Sequence, residues 1–102
     1  MSYESKIQDA SVDQLFEAIL ALENTEECYR FFEDICTINE IKSLAQRLQV
    51  AIMLRQRNTY TEIAEQTGAS TATISRVNRC LMYGAEGYNT IWERLGYGGT
   101  DK

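Results

Sequence analysis

The stretch Tyr60 to Arg79, YTEIAEQTGASTATISRVNR, decides the fold of this 102-residue chain. Its spacing is that of a helix-turn-helix. Ala64 is small, so a second helix can cross close to the first at the roughly 90–120° the motif requires. Gly68 follows and ends the first helix, because a sharp exit usually needs φ > 0, which costs glycine least. Ile63, Ile74, Val77 and Leu81 supply apolar contacts, and the last three make one stripe on the second helix. Thr59-Tyr60-Thr61-Glu62 reads as a capping box with Thr59 as N-cap. Ser70 is placed to N-cap the second helix.

The opposite face of that second helix points to function. At about 100° per residue, Ala72, Ser75, Arg76 and Arg79 lie opposite Ile74, with Thr71 and Thr73 on the flanks. The face is small, hydroxylated and cationic, and carries no acid. Hydroxyls and methyls suit base edges in the major groove of DNA, and arginines suit guanine or phosphate. The candidate DNA-facing set is Ser70, Thr71, Ala72, Thr73, Ser75, Arg76 and Arg79. The competing reading is an ordinary helical hairpin with a solvated polar face.

Beyond this stretch, helix-period segments cover most of the chain, strand-like alternation is scarce and there is no proline, so the class is all-α with about six helices. Residues 11–96 are expected to form a single domain, with the helix-turn-helix at 60–79. Residues 1–10 are expected to be frayed and 97–102 to be a flexible C-terminal tail. A chain this short buries its 44% hydrophobic content more easily with a partner subunit. No apolar run approaches the roughly 18 residues of a membrane span, and no basic-then-apolar leader opens the chain, which predicts a cytoplasmic protein.

The formal charge of −5 argues at first against nucleic acid, but its distribution reverses that. Residues 1–40 carry ten acids and two bases, Lys6 and Arg30, for a net −8. Residues 41–82 carry Lys42, Arg47, Arg55, Arg57, Arg76 and Arg79 against Glu62 and Glu65, for a net +4. The remainder is −1. A basic half beside an acidic half suits a protein with one face on phosphate.

Upstream, Ser11 with Gln14 predicts a capped helix with Leu15, Phe16, Ile19, Leu20 and Leu22 on its apolar face. Thr25 is the predicted cap of the next, which carries Tyr29, Phe31, Phe32 and Ile35. Two short helices this apolar read as dimerisation helices; the alternative is packing within the chain. Thr37-Ile38-Asn39-Glu40 predicts another capping box, opening a long central helix to about Gln56. Its apolar positions are Ile38, Ile41, Leu44, Ala45, Leu48, Ala51, Ile52 and Leu54, with Lys42, Arg47, Arg55 and Arg57 exposed. Arg55 and Arg57 suit either the helix dipole or a phosphate. After the second helix of the motif, Asn89 is the predicted cap of a last helix with Ile91, Trp92 and Leu95 inward, ended by Gly96, Gly98 and Gly99. Trp92 reads as a core anchor.

Catalysis finds no foothold. There is no histidine, the commonest general base. Cys28, Cys36 and Cys80 form no C-x-x-C pair and have no histidines to complete a zinc site. They read as reduced, buried thiols. No metal, no cofactor and no enzymatic activity are expected.

Gly68-Ala69 with Ala72-Thr73-Ile74-Ser75-Arg76 resembles the reading head of the Trp repressor-like family, and the likeness extends upstream through Thr37, Glu40, Leu44, Arg47 and Glu62. It covers about residues 36–82, and the whole chain is most similar to the YerC/YecD branch of transcription regulators. The resemblance implies an intertwined helical homodimer whose two reading heads enter successive major grooves, ~34 Å apart. It adds Tyr60 and Thr61, at the start of the first helix, to the DNA contacts. It also implies an effector site. In Trp repressor two arginines sandwich the amino acid and a threonine backbone contacts it; Arg47, Arg76 and Thr37 stand at the matching places. The family's glycine beside the second arginine is here Val77, whose branched side chain would fill the ligand's slot and oppose an indole. Tryptophan is therefore not the expected corepressor. If Arg47 and Arg76 hold an effector, it is something smaller, such as another carboxylate.

Two functions remain in view. One is a sequence-specific DNA-binding transcriptional regulator, a repressor acting by occupancy as a homodimer. The other is a helical adaptor that binds a protein through its acidic N-terminal half.

Overall fold

The computed structural model describes residues 3–96. The tail expected over 97–102, and Met1 and Ser2 of the segment expected to fray, lie outside them. Six α-helices follow in order: α1 (Ala10–Leu20), α2 (Thr25–Ile35), α3 (Ile38–Arg55), α4 (Tyr60–Thr67), α5 (Thr71–Tyr83) and α6 (Gly87–Leu95). No strand occurs among the described residues, so the fold is all-α. No helix among them is long and apolar enough to cross a membrane. The chain forms two compact units, Met1–Ile38 and Asn39–Lys102.

In the N-terminal unit both caps differ from the sequence reading. Asp9, not Ser11, caps α1: its carboxylate accepts from the Val12 amide at 2.8 Å and from the Ser11 hydroxyl at 2.7 Å. A carboxylate outcompetes a hydroxyl at the positive end of the helix dipole, and these bonds, Val12 first, hold the Asp9 pKa below the ordinary carboxylate value. Asn24, not Thr25, caps α2, accepting from the Glu27 amide at 2.9 Å while Glu27 reaches back to the Glu23 amide at 2.8 Å. Neither helix contains a buried residue. Leu15, Phe16, Leu20, Tyr29 and Ile35 are exposed, Leu20 by 83%. The Arg30–Glu26 ion pair at 2.9 Å lies at the surface, where such pairs add little.

The core of the second unit is Val50, Ala51, Met53, Ile63, Ala69, Ile74, Val77 and Trp92. On α3 this corrects the expected apolar face. Val50 and Met53 are buried although the helical period omitted them, whereas Ile38, Leu44 and Ala45 are exposed, Ile38 by 71%. The C-terminal half of α3 is apolar nearly all round, so periodicity alone could not choose its inward side. Arg55 also departs from expectation: it is half-buried, its guanidinium carbon 5.8 Å from the Trp92 ring centroid. Trp92 is buried as expected and stacks on Tyr88 at 5.8 Å, but Ile91 and Leu95 on the same helix are exposed. α6 opens at Glu86 with φ 73° and no side-chain cap bond, and Asn89 lies inside the helix, donating to the Glu86 carboxylate at 2.6 Å. The cysteines are free, but Cys28 and Cys80 are exposed and Cys36 is half-buried, so the expected buried thiols are not found in the protomer.

Candidate nucleic-acid interface

The helix-turn-helix is α4, the turn Gly68-Ala69-Ser70, and α5. Thr59 accepts from the Glu62 amide at 3.1 Å and Glu62 accepts from the Thr59 amide at 2.8 Å, a reciprocal capping box. Gly68 closes α4 at φ 75°, ψ 6°, its amide donating to the Ala64 carbonyl at 2.9 Å. A β-carbon there would meet nothing within 4 Å, so the requirement for glycine is one of backbone conformation and not of space. Ser70 caps α5, accepting from the Thr73 amide at 3.1 Å and donating to the Thr73 hydroxyl at 3.1 Å. Ile63, Ala69, Ile74 and Val77 are buried between the two helices and α3, with Ala64 and Leu81 half-buried. Each large apolar side chain fully buried here contributes roughly 1.5–3 kcal/mol.

Two positioning contacts carried no signal in the sequence. The Thr67 hydroxyl donates to the Ile63 carbonyl at 2.8 Å and accepts from the Ala69 amide at 3.1 Å, which ties the turn to the helix it leaves. Gln46, on α3, donates to the Thr67 carbonyl at 3.1 Å. Its partner is 21 residues away, so no local pattern marks it.

On the outer face of α5, Thr71, Ala72, Ser75, Arg76 and Arg79 are exposed, and Thr73 is half-buried and bonded to Ser70. Ala72, Ser75, Arg76 and Arg79 line one open depression, the i, i+3, i+4, i+7 set of a single helical face. α5 has no acid in its first turn or anywhere along it. Tyr60 and Thr61 are exposed in the first turn of α4. The structure therefore brings together an acid-free face with two arginines, short hydroxyls and a methyl. The Ser70 hydroxyl caps α5 and so holds the start of this face in place.

Arg47 on α3 and Arg76 on α5 are both exposed, and Thr37 is exposed in the N-terminal unit. Val77 is 2% exposed, its side chain turned into the core directly beside Arg76. Tyr88 is influenced from α3 and α5: partial burial and Cys80 push its phenol pKa up, with Arg47 opposing.

Comparison with known proteins places this geometry. The family described as "Trp repressor protein" matches residues 10–96. The uncharacterized protein YerC of Bacillus subtilis (strain 168) is 61% identical over 90 residues, 88% of this chain and 86% of YerC. The crystal structure of a TrpR-like protein from Eubacterium eligens superposes with a TM-score of 0.86 at 63% identity, covering 89% of this chain and 94% of that one. A second crystal structure, from Staphylococcus aureus, gives 0.85 at 56% identity, covering 90% and 92%.

Proposed function

Because the chain belongs to the Trp repressor protein family, we propose that it is a sequence-specific DNA-binding transcriptional regulator that reads the major groove as a homodimer. The acid-free face of Ala72, Ser75, Arg76 and Arg79 on α5, presented by a fully capped helix-turn-helix, carries this reading. Arg76 and Arg79 supply phosphate or guanine contacts, Thr71, Ala72, Thr73 and Ser75 the shorter contacts to base edges, and Tyr60 and Thr61 the backbone contacts that set register. Control by occupancy of an operator needs no chemistry, in keeping with a non-enzymatic, cytoplasmic regulator.

The homodimer is supported by the apolar surface one protomer leaves in water. Phe16, Leu20, Tyr29, Ile35, Ile38 and Leu44 are exposed, as are Met82 and Tyr83 at the end of α5. Large apolar side chains left exposed in such number mark interaction surface. In that dimer residues 11–96 make up a single domain. Tryptophan is not the effector, because Val77 occupies the slot beside Arg76; this is supported by its burial in the core. Either the protein needs no effector, or Arg47 and Arg76 hold something smaller, such as another carboxylate.

The test is selection of bound duplexes from a random pool, followed by affinity measured against salt. The wild type should yield a palindromic site and lose affinity steeply as salt rises, since each phosphate contact adds about −0.9 to the log–log slope. Arg76→Ala with Arg79→Ala should lose duplex binding by at least tenfold while keeping wild-type helicity and solution size. A double variant that binds its site like the wild type would show that the reading head is misassigned. A wild type that ignores duplex DNA but captures a protein through its acidic half would favour the adaptor.

A further inference from the structure

α3 ends in an unusual way. The Arg57 amide donates to the Leu54 carbonyl at 3.0 Å and the Asn58 amide to the Met53 carbonyl at 3.0 Å. That pair of bonds is a Schellman closure, and it puts the residue after the helix into the left-handed region. The residue there is Arg57, with φ 69°. Glycine is the ordinary occupant, because a β-carbon in this conformation is costly. The left-handed conformation ends two other helices with its usual residue, at Gly68 (φ 75°) and Gly96 (φ 77°), each through a single bond to the carbonyl four residues back, so the chain uses glycine for helix closure elsewhere. Asn58, the next residue, also bonds the Met53 carbonyl through its side chain at 3.1 Å, so the turn is held without help from the arginine.

The arginine side chain contributes nothing to the turn that glycine could not supply. It is exposed, and among the described residues its guanidinium makes no hydrogen bond or ion pair. A strained position occupied by a long unpaired cation points to a use outside the protomer. Its place in the chain says where. Arg57 stands two residues before the cap of α4 and three before Tyr60, a span of at most about 11 Å. It therefore adjoins the end of α4 that the proposed interface turns toward the DNA backbone.

We infer that Arg57 is a phosphate anchor, gripping the DNA backbone beside the helix-turn-helix and adding affinity without sequence preference. This rests on the DNA-binding reading. It predicts a dissociation that a structural role would not produce, because the substitution that relieves the backbone should weaken binding. Arg57→Gly should melt at the wild-type temperature or above. If the two proteins' affinities converge at 1 M salt, its duplex affinity at 0.1 M should fall roughly eightfold for one phosphate lost per dimer and sixtyfold for two. Its log–log salt slope should shrink by about 0.9–1.8. The loss should be equal on specific and random duplexes. Arg57→Lys, which keeps the charge, should recover most of the slope. An Arg57→Gly protein with wild-type affinity and slope would overturn the inference while leaving the α5 reading head intact. A lowered melting temperature with no recovery in Arg57→Lys would overturn it too, assigning Arg57 to the fold. A wild type with no salt-dependent duplex binding would instead remove the DNA-binding reading itself.

Discussion

Val77 is the residue through which the packing of the helix-turn-helix and the proposed exclusion of tryptophan can be tested together. The side chain is 2% exposed and packs in the core with Ile63 and Ile74. Val77→Ala removes two carbons, worth about 0.8 kcal/mol each in transfer from water, or ~1.6 kcal/mol. The space left between α4 and α5 refills only partly, which raises the loss to roughly 2–3 kcal/mol. Val77→Gly adds about 1 kcal/mol for a glycine in a helix interior. For a domain near 100 residues the alanine variant should melt roughly 10–20 °C lower. The assay is thermal and urea unfolding at one fixed protein concentration, because coupling to dimerisation makes the midpoint depend on it. Calorimetry of the wild type with tryptophan completes the experiment and should show no micromolar binding. Two results would refute the reasoning. An alanine variant within ~0.5 kcal/mol of wild type would mean that Val77 is not packed as described. Micromolar tryptophan binding to the wild type would mean that the valine does not close the slot beside Arg76.

Gly68→Ala should cost about 1–2 kcal/mol, all of it from the left-handed backbone, since a β-carbon there meets nothing within 4 Å. Gly68→Asn should cost less, and equal losses in urea unfolding would point to a clash instead. On the acid side, the lowered pKa of Asp9 stabilises α1 above the unfolded value of 3.8, and that contribution is lost as pH falls through the folded value. Helicity measured by circular dichroism should drop at low pH more in the wild type than in Asp9→Asn. On the alkaline side, the raised pKa of Tyr88 makes its contribution complete below pH 10.0 and lost as pH rises through the folded value. Tyr88→Phe should flatten that alkaline decline; an unchanged profile would exclude Tyr88 as its source.

Which parts were legible in the sequence follows from how local each determinant is. The capping box at Thr59 and Glu62, the exit at Gly68, the cap at Ser70 and the stripe of Ile74 and Val77 all lie where their spacing put them. Each depends on partners within a turn or two, so sequence distance is nearly spatial distance. The caps of α1, α2 and α6 lie one or more residues before the positions the sequence suggests, because several adjacent polar residues could serve and only backbone geometry chose Asp9, Asn24 and Glu86. The inward side of α3 departs from its helical period for another reason. With apolar residues almost all round its second half, the face is chosen by what packs against it, here the helix-turn-helix and Trp92.

The sequence by itself thus settled an all-α chain with a helix-turn-helix and the acid-free face of α5, since these rest on short-range spacing and charge. Only the tertiary structure decided that Val50 and Met53, not Ile38 and Leu44, enter the protomer's core, and that Gln46 holds the end of α4. It also placed an arginine, not a glycine, in the left-handed closure of α3. Those outcomes depend on how helices far apart in sequence meet, and on backbone angles that residue identity does not encode alone.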